Sequence, residues 1–426
     1  MIILGLLLIA LALFGAPLFA LIAAAALLGF WHSGVDLSVI AIEIYRVAEM
    51  PILIAIPLFT FAGYLLSESH APRRLVHMTN ALIGWMPGGL AVVALLASAL
   101  FTAFTGASGV TIVALGALLY PALREAGYGE RFSLGLVTTS GSLGLLFAPS
   151  LPLILYGVIV QQMDVGQKIT LDDLFLAGIL PGILMLVLLS GWGLWENRAK
   201  HLPLTRFSAR ALLKAMRESI WELPLPFLVL GGIYSGTFAV SEAAAVTAMY
   251  VLIVEVFVYR EIRISQLPGI MRHSMVLVGS ILVILGVSLA STNYLVDADV
   301  PAQLFSFVKS HVDDKFTFLI LLNLFLLVLG MMLDIFSALI IMVPLLLPIA
   351  IGYGIHPVHL GIIFLANMQV GYLTPPVGMN LFIASIRFDR PVVEIFRSTL
   401  PFLFLLLLAV LIITYWPALS LGLLSR

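Results

Sequence analysis

No charged residue interrupts the chain between Phe132 and Met163, yet the middle of that run, Gly141-Ser-Leu-Gly-Leu-Leu-Phe-Ala-Pro-Ser-Leu-Pro152, is built to stop a helix. Pro149 and Pro152 remove backbone donors, and Gly141 and Gly144 loosen the turns before them, so a segment long enough to cross a bilayer must break at mid-depth. A second copy, Gly371-Tyr-Leu-Thr-Pro-Pro-Val-Gly378, lies in another uncharged run at a constant offset: 371 − 144 = 227 and 376 − 149 = 227. Pro121 and Pro348 share that offset, and Leu174-Phe175 with Pro181 recurs as Ile395-Phe396 with Pro401 after a small length change. Chance prolines in apolar runs are the competing explanation. Helices broken at matching positions of two halves point to a solute site at the bilayer midplane.

Composition demands a bilayer. With 62% hydrophobic and 10% charged residues and a mean hydropathy of +1.15, the chain is far from a soluble globule, whose charged share is about a quarter. Formal net charge is −1, which argues for neither nucleic acid nor an acidic partner, and the absence of Cys excludes disulfides and Cys-ligated metals. The run from Ile2 to Trp31 is too long for a signal-peptide core and reads as a retained span.

Met50–Leu66 is the expected second span, followed by a loop with Arg73 and Arg74. Met86–Leu123 is uncharged but divided by Thr105-Gly-Ala-Ser-Gly109 into halves of about fifteen residues, short of a span, which reads as a re-entrant hairpin. Beyond the broken helix lie the span Leu174–Trp195 and a basic stretch of Arg198, Lys200, Arg206, Arg210, Lys214 and Arg217. The last four share one helical face, and Phe207, Leu212, Leu213 and Met216 supply apolar contact. An arm along the membrane surface is expected, cytoplasmic by the positive-inside rule. Spans follow at Leu223–Phe238, Glu242–Tyr259 and Met275–Thr292, with Arg260, Arg263 and Arg272 inside and Asp297, Asp299, Asp313 and Asp314 outside. Phe316–Ile355, split at Gly330-Met-Met-Leu-Asp334, repeats the hairpin, Pro357–Ile386 is the second broken helix and Leu400–Leu424 the last span.

About nine crossings then place the N-terminus in the cytoplasm and the C-terminus outside, with every strongly basic loop inside. An odd number of crossings separates the hairpins, so the repeats are inverted. The expected organisation is scaffold spans over 1–85, a transport repeat over 86–163, scaffold spans with the basic arm over 164–315, a second transport repeat over 316–386 and a C-terminal scaffold span over 387–426.

Each break leaves carbonyls at the end of its first half, around Gly144–Phe147 and Gly371–Thr374, which suit a dehydrated cation. The second halves begin near Ser150 and Val377, and their amide donors suit an anion. Hydroxyl and amide side chains gather there: Thr138, Thr139, Ser140 and Ser142 in one copy, Asn367, Gln369, Thr374 and Asn380 in the other. Interhelical hydrogen bonding is the alternative use of such residues. Only Asp334 and Glu242 are expected as carboxylates in the apolar zone, and both also fit as helix caps. Scarce carboxylates favour sodium over protons as coupling ion, since carbonyls and hydroxyls alone can hold sodium.

Gly106-Ala-Ser-Gly109 also matches the Gly-x-Ser-Gly signature of rhomboid intramembrane serine proteases, but no histidine lies mid-helix to activate Ser108. The chain resembles, nearly end to end, the large membrane subunit of tripartite ATP-independent periplasmic (TRAP) transporters of the dicarboxylate type. The resemblance rests on Ala55-Ile-Pro-Leu-Phe59, Gly106-Ala-Ser-Gly109, Pro152-Leu-Ile-Leu-Tyr-Gly157, Ser241-Glu-Ala-Ala-Ala245, Val258-Tyr-Arg-Glu261, Gly330-Met-Met-Leu-Asp334, Thr374-Pro-Pro-Val-Gly-Met-Asn380 and Ile413-Thr-Tyr-Trp-Pro-Ala-Leu-Ser420.

It implies an all-α polytopic membrane protein of the ion-transporter-superfamily, elevator-type fold. It also implies sodium-driven uptake of an organic acid anion across the bacterial or archaeal inner membrane, with a small membrane subunit of about four spans and a periplasmic binding protein as partners. A stand-alone sodium/anion symporter of the same fold is the alternative. Because the chain begins directly in a span, the small subunit is expected as a separate protein. Ala148-Pro149 and Val110 depart from the family's usual residues near the first cation site. The expected sodium ligands are Ser108, Gly109, Ser140, Gly144 and Phe147 in one site and Gly330, Asp334, Gly371, Thr374 and Pro375 in the other. Thr105, Ser142, Ser150, Gln369 and Asn380 are expected at the substrate. No Lys or Arg falls in the uncharged runs, so bound sodium and helix dipoles must balance the anion.

Overall fold

A computed structural model describes residues 7–8, 10–11, 14–86, 88–163, 169–198 and 208–424. Among the described residues all regular structure is helical, and eight segments are long and apolar enough to cross a bilayer. The chain opens with α1 (Leu18–His32), α2 (Val39–Glu49), a 3-10 turn at Pro51–Ile54 leading into α3 (Ala55–Glu68), and α4 (Ala71–Ile83). The first repeat comprises the helical pair α5 (Gly89–Thr105) and α6 (Ser108–Glu125), then α7 (Glu130–Ser140), a 3-10 turn at Leu143–Leu146, and α8 (Leu151–Gln162). Next come α9 (Leu171–Glu196), α10 (Ala209–Glu218), α11 (Pro224–Tyr234), α12 (Val240–Ile253) with a π turn at Val254–Val258, α13 (Leu267–Asp297) and α14 (Val300–His311). The second repeat comprises α15 (Lys315–Met332), α16 (Ile335–Gly352), α17 (Pro357–Gly371) and α18 (Met379–Phe388), followed by α19 (Val392–Tyr415) and α20 (Ala418–Leu421).

The 227-residue offset carries over into helix boundaries: 335 − 108 and 357 − 130 both equal 227, while α15 and α18 start within one residue of it. Pro121 lies inside α6 and Pro348 inside α16, as the offset requires. Packing is exchanged between the repeats. The second half-helix of each lies on the hairpin of the other, α8 on α16 and α18 on α6, and the exit helices cross over likewise, α9 to α17 and α19 to α7. Gly135 makes the last crossing possible, because a Cβ there would stand 2.1 Å from the Ser398 carbonyl.

Several expectations shift. The supposed loop with Arg73 and Arg74 is helix α4, and α2 was not foreseen at all. The hairpin helices run 17 and 18 residues in the first repeat and 18 each in the second, longer than the fifteen expected. The span placed at Leu223–Phe238 contains an 11-residue helix, α11, which rises about 16 Å, half of an apolar core about 30 Å thick. The basic arm is helical from Ala209, capped by the Ser208 hydroxyl, and its Arg210, Lys214 and Arg217 are exposed; Lys200, Arg206 and Phe207 lie outside the described residues. Both α9 and α19, expected in the scaffold, pack on the broken helices.

The count of apolar-zone carboxylates was one short. Glu255, in the π turn that ends α12, is fully buried. Arg74 from α4 reaches it at 3.4 Å, binds Glu222 at 2.7 Å, pairs with Glu261 and lies 4.0 Å over the Tyr259 ring. Burial works against the Arg74 charge, but the Glu222 and Glu261 hydrogen bonds outweigh it and hold the guanidinium protonated. Burial also pushes up the Glu222 carboxyl, whereas at Glu261 hydrogen bonds from Arg74 and the His70 amide overcome burial and lower it. Glu255 is therefore part of a scaffold knot around one cation, away from either break.

Candidate functional site at the two helix breaks

The first break is closed in on itself. Helix α7 ends at Ser140, a turn earlier than the expected Gly144–Phe147, because a 3-10 turn intervenes in which the Gly144 carbonyl accepts the Phe147 amide at 3.0 Å. A cis Ala148–Pro149 bond and Ser150 lead into α8; the Ser150 hydroxyl donates to the Leu145 carbonyl at 2.5 Å instead of capping the helix. Residues 141–146 are all buried. The Ser140 hydroxyl donates to Ser98 at 3.0 Å, and Thr102 lies 2.9 Å from the Gly141 carbonyl and 2.7 Å from the Thr111 hydroxyl. Gly144 fits against α5 only because it lacks a Cβ, which would stand 2.2 Å from the Ala99 carbonyl.

Of the first expected cation set, Ser108 comes to the end of α7: its carbonyl lies 3.2 Å from where a Cβ on Gly141, the residue after Ser140, would be. Gly109, next along α6, faces Ile383 of α18, while the Phe147 ring turns away against Gly182 of α9. Ser142 lies 3.5 Å from the Thr139 carbonyl. Sequence reasoning missed Ser98, Thr102 and Thr111. Ser98 and Thr102 share a face of α5 at i, i+4, a spacing readable beforehand.

The second break has a different enclosure. Helix α17 runs to Gly371, where a Cβ would stand 2.5 Å from the Gly330 Cα, so the hairpin tip and the break meet backbone to backbone. The Gly378 amide donates to the Met331 carbonyl at 3.2 Å, and the Tyr372 hydroxyl accepts the Ile335 amide at 2.6 Å. Gly330, Gly371 and Thr374 thus gather at the tip, with the Thr374 hydroxyl donating to Val370 at 3.0 Å. Asp334 is a helix cap: it accepts the Phe336 and Ser337 amides at 3.0 Å each and the Ser337 hydroxyl at 2.5 Å. Glu242 likewise caps α12 through the Ala239 amide at 2.9 Å. Pro375, in a cis bond to Pro376, is exposed, as are Pro376 and Val377.

Asn380, in the first turn of α18, reaches across to the Thr138 carbonyl at 3.5 Å and so joins the two breaks. Its oxygen is buried without a partner, as are the Thr105 and Thr139 hydroxyls and both polar atoms of Gln369. A buried polar group left unpaired costs about 1–3 kcal/mol, so these orphans on the elements around the breaks fit a polar ligand or a cation. Thr105 ends α5 at the hairpin tip, whose Gly106 takes φ 65°, and Gly63 lets α3 close over it. The two cations that follow the second break in the chain are committed elsewhere, Arg387 to the Val113 carbonyl at 3.1 Å and Arg390 to Glu130 at 2.5 Å. His359, buried at the start of α17, bonds Ser420 at 3.1 Å and the Thr414 carbonyl at 3.2 Å and does not serve Ser108.

Residues 4–419 match the family profile described as the tripartite ATP-independent periplasmic transporter, DctM component. A C4-dicarboxylate TRAP transporter large permease protein of Pseudomonas aeruginosa is 36% identical, covering 90% of this chain and 88% of its own. An isethionate TRAP transporter permease protein, DctMQ, of Oleidesulfovibrio alaskensis is 32% identical over 86% of this chain and 57% of its own. Among solved structures, the Alcanivorax borkumensis YdaH transporter, noted for an unusual topology, aligns with a TM-score of 0.63 at 14% identity, over 90% of this chain and 88% of that one.

Proposed function

This chain belongs to the family of DctM components of tripartite ATP-independent periplasmic transporters, and is thus a multi-pass membrane transporter subunit rather than an enzyme; we propose that it drives sodium-coupled uptake of an organic acid anion. The observation that carries this reading is the set of unpaired buried groups on Thr105, Thr139, Gln369 and Asn380, set around two breaks that bring no Lys or Arg of their own. Sodium would be held by hydroxyls and carbonyls near Ser108, Ser140 and Gly141 at one break and near Gly330, Gly371 and Thr374 at the other. Asp334, engaged as a cap, would support the second site through the hairpin turn.

The anion would lie between the hairpin tips, meeting Asn380 and the amide ends of α8 and α18, with the cations supplying the positive field. Substrate binding then depends on sodium, and the coupling is reciprocal. In this reading α9 and α19, which pack on the broken helices, would move with them as one body against a scaffold of α1–α4 and α10–α14. Basic α10 would face the cytoplasm. A separate small membrane subunit and a periplasmic binding protein would deliver the substrate, as the family's tripartite description suggests. Uptake into proteoliposomes holding the whole complex tests this: an inward sodium gradient should drive accumulation. Uptake driven by a proton gradient in sodium-free buffer would overturn sodium coupling.

A further inference from the structure

Where α4, the hairpin helix α5 and the short α11 face one another they leave a cavity of about 250 Å³. Leu75 and Met78 of α4, Phe101 and Phe104 of α5 and Leu225 of α11 are among its walls. Two polar residues reach it. Glu222 is already bonded to Arg74, and Ser219, the residue that follows α10, is buried with a hydroxyl that has no partner. Leu100 and Phe227 line the same cavity and are 41% and 77% exposed, so its apolar lining continues onto the lipid-facing surface.

Water gains nothing in such a space, which offers it too few hydrogen-bond partners. Directly before Ser219, α10 displays Arg210, Lys214 and Arg217, all exposed. A cluster of cations at the membrane surface attracts anionic lipid headgroups. We propose that the cavity is a lipid site: one acyl chain of an anionic phospholipid fills it, the Ser219 hydroxyl donates to the glycerol-ester region, and the basic face of α10 holds the headgroup. The chain then touches α5, the helix whose last residue is Thr105 at the hairpin tip, so the lipid borders a part of the molecule that the transport reading requires to move. The site itself does not depend on that reading.

The full-length chain, reconstituted in phosphatidylglycerol vesicles containing a small fraction of lipid with a diazirine on its acyl chain, tests this by irradiation and peptide mapping. Adducts should concentrate on Leu75, Met78, Phe101 and Phe104 relative to Phe325, a lipid-facing residue of α15 that is 43% exposed. Leu225→Trp, which fills the cavity, should lower the cavity adducts several-fold and leave Phe325 unchanged. As Leu225→Trp can disturb folding, Arg210→Gln with Lys214→Gln and Arg217→Gln on the exposed face of α10 gives an independent reading. That variant should lose the preference for labelled phosphatidylglycerol over labelled phosphatidylcholine. Cavity adducts no denser than those on Phe325 would overturn the site, and equal labelling by both lipids in the unmodified chain would overturn the headgroup assignment. Loss of cavity adducts when a small membrane subunit is reconstituted alongside would show that a protein, not lipid, fills the space.

Discussion

The two helix breaks share one register and differ in what encloses them. At the first, Gly141–Leu146 is buried between α5 and α9, with the Gly141 carbonyl bonded to Thr102 and the preceding Ser140 hydroxyl to Ser98. At the second, Gly330 and Gly371 touch backbone to backbone, while Pro375–Val377 stands exposed. The repeat sets where each helix stops. The neighbours set how the stopped helix is enclosed: a 3-10 turn against α9 seals the first break from outside, with the Thr139 hydroxyl left unpaired inside it, whereas the second opens at Pro375–Val377. If each break holds a cation as proposed, the first requires hydrogen bonds to be exchanged for ion contacts and the second is approachable from outside.

Accessibility is the sharpest way to break that contrast, and the absence of Cys gives a clean background. A thiol at Val377→Cys, 46% exposed, should react with a water-soluble maleimide more than about a hundredfold faster than one at Leu145→Cys, 1% exposed. Equal rates would erase the difference between the breaks. Gly144→Ala comes next. Its Cβ would meet the Ala99 carbonyl and Ala103 amide, backbone that has no room to yield, at a cost of about 3 kcal/mol or more. Gly109→Ala presses only on the end of the Ile383 side chain and should be much milder. Thermal unfolding in detergent orders the two, and the reverse order would contradict the tight seal of the first break.

Asn380→Ala should lower uptake at least about tenfold, equal to about 1.4 kcal/mol, and cost stability by about 1 kcal/mol at most, because the oxygen it removes has no protein partner and its amide makes only the long 3.5 Å contact to Thr138. Unchanged transport would take Asn380 off the substrate. The smallest effects are expected from the hydroxyls. Thr374→Val should raise the sodium concentration for half-maximal uptake a few-fold without destabilising the fold, whereas Ser140→Ala, which breaks a buried bond to Ser98, should cost stability by about 1 kcal/mol. Matching phenotypes for the two would mean that the breaks are equivalent after all.

Prolines made both breaks legible, since loss of a donor at Pro149 and Pro376 does not depend on tertiary context, and the offset between them anticipated the starts of α16 and α17. Helices whose reason lies in a distant partner stayed hidden. Arg73 and Arg74 read as a charged loop, yet α4 forms because Arg74 finds Glu222, Glu255 and Glu261 some 150 to 190 residues away. Glu255 escaped notice for the same reason: a carboxylate in an apolar run is tolerated only with a cation that sequence proximity does not reveal. At the sites, residue types were readable and their commitments were not. Asp334 caps α16, one of the two uses its position allowed, whereas the turn of the Phe147 ring to Gly182 follows from a 3-10 turn that residue types alone do not reveal.

The exchanged packing of the repeats also sets a timetable for biosynthesis. Helix α7 leaves the ribosome long before α19, the helix on which it packs: 392 − 140 = 252 residues separate them. At about 5–20 residues per second, the nascent chain carries α7 for about 13–50 s before α19 is made. Through that interval the polar groups around Ser140 and Gly141 already lie against α5 and α6, made before them, so the hairpin of the first repeat shelters its own half-helix until the exchanged partner exists.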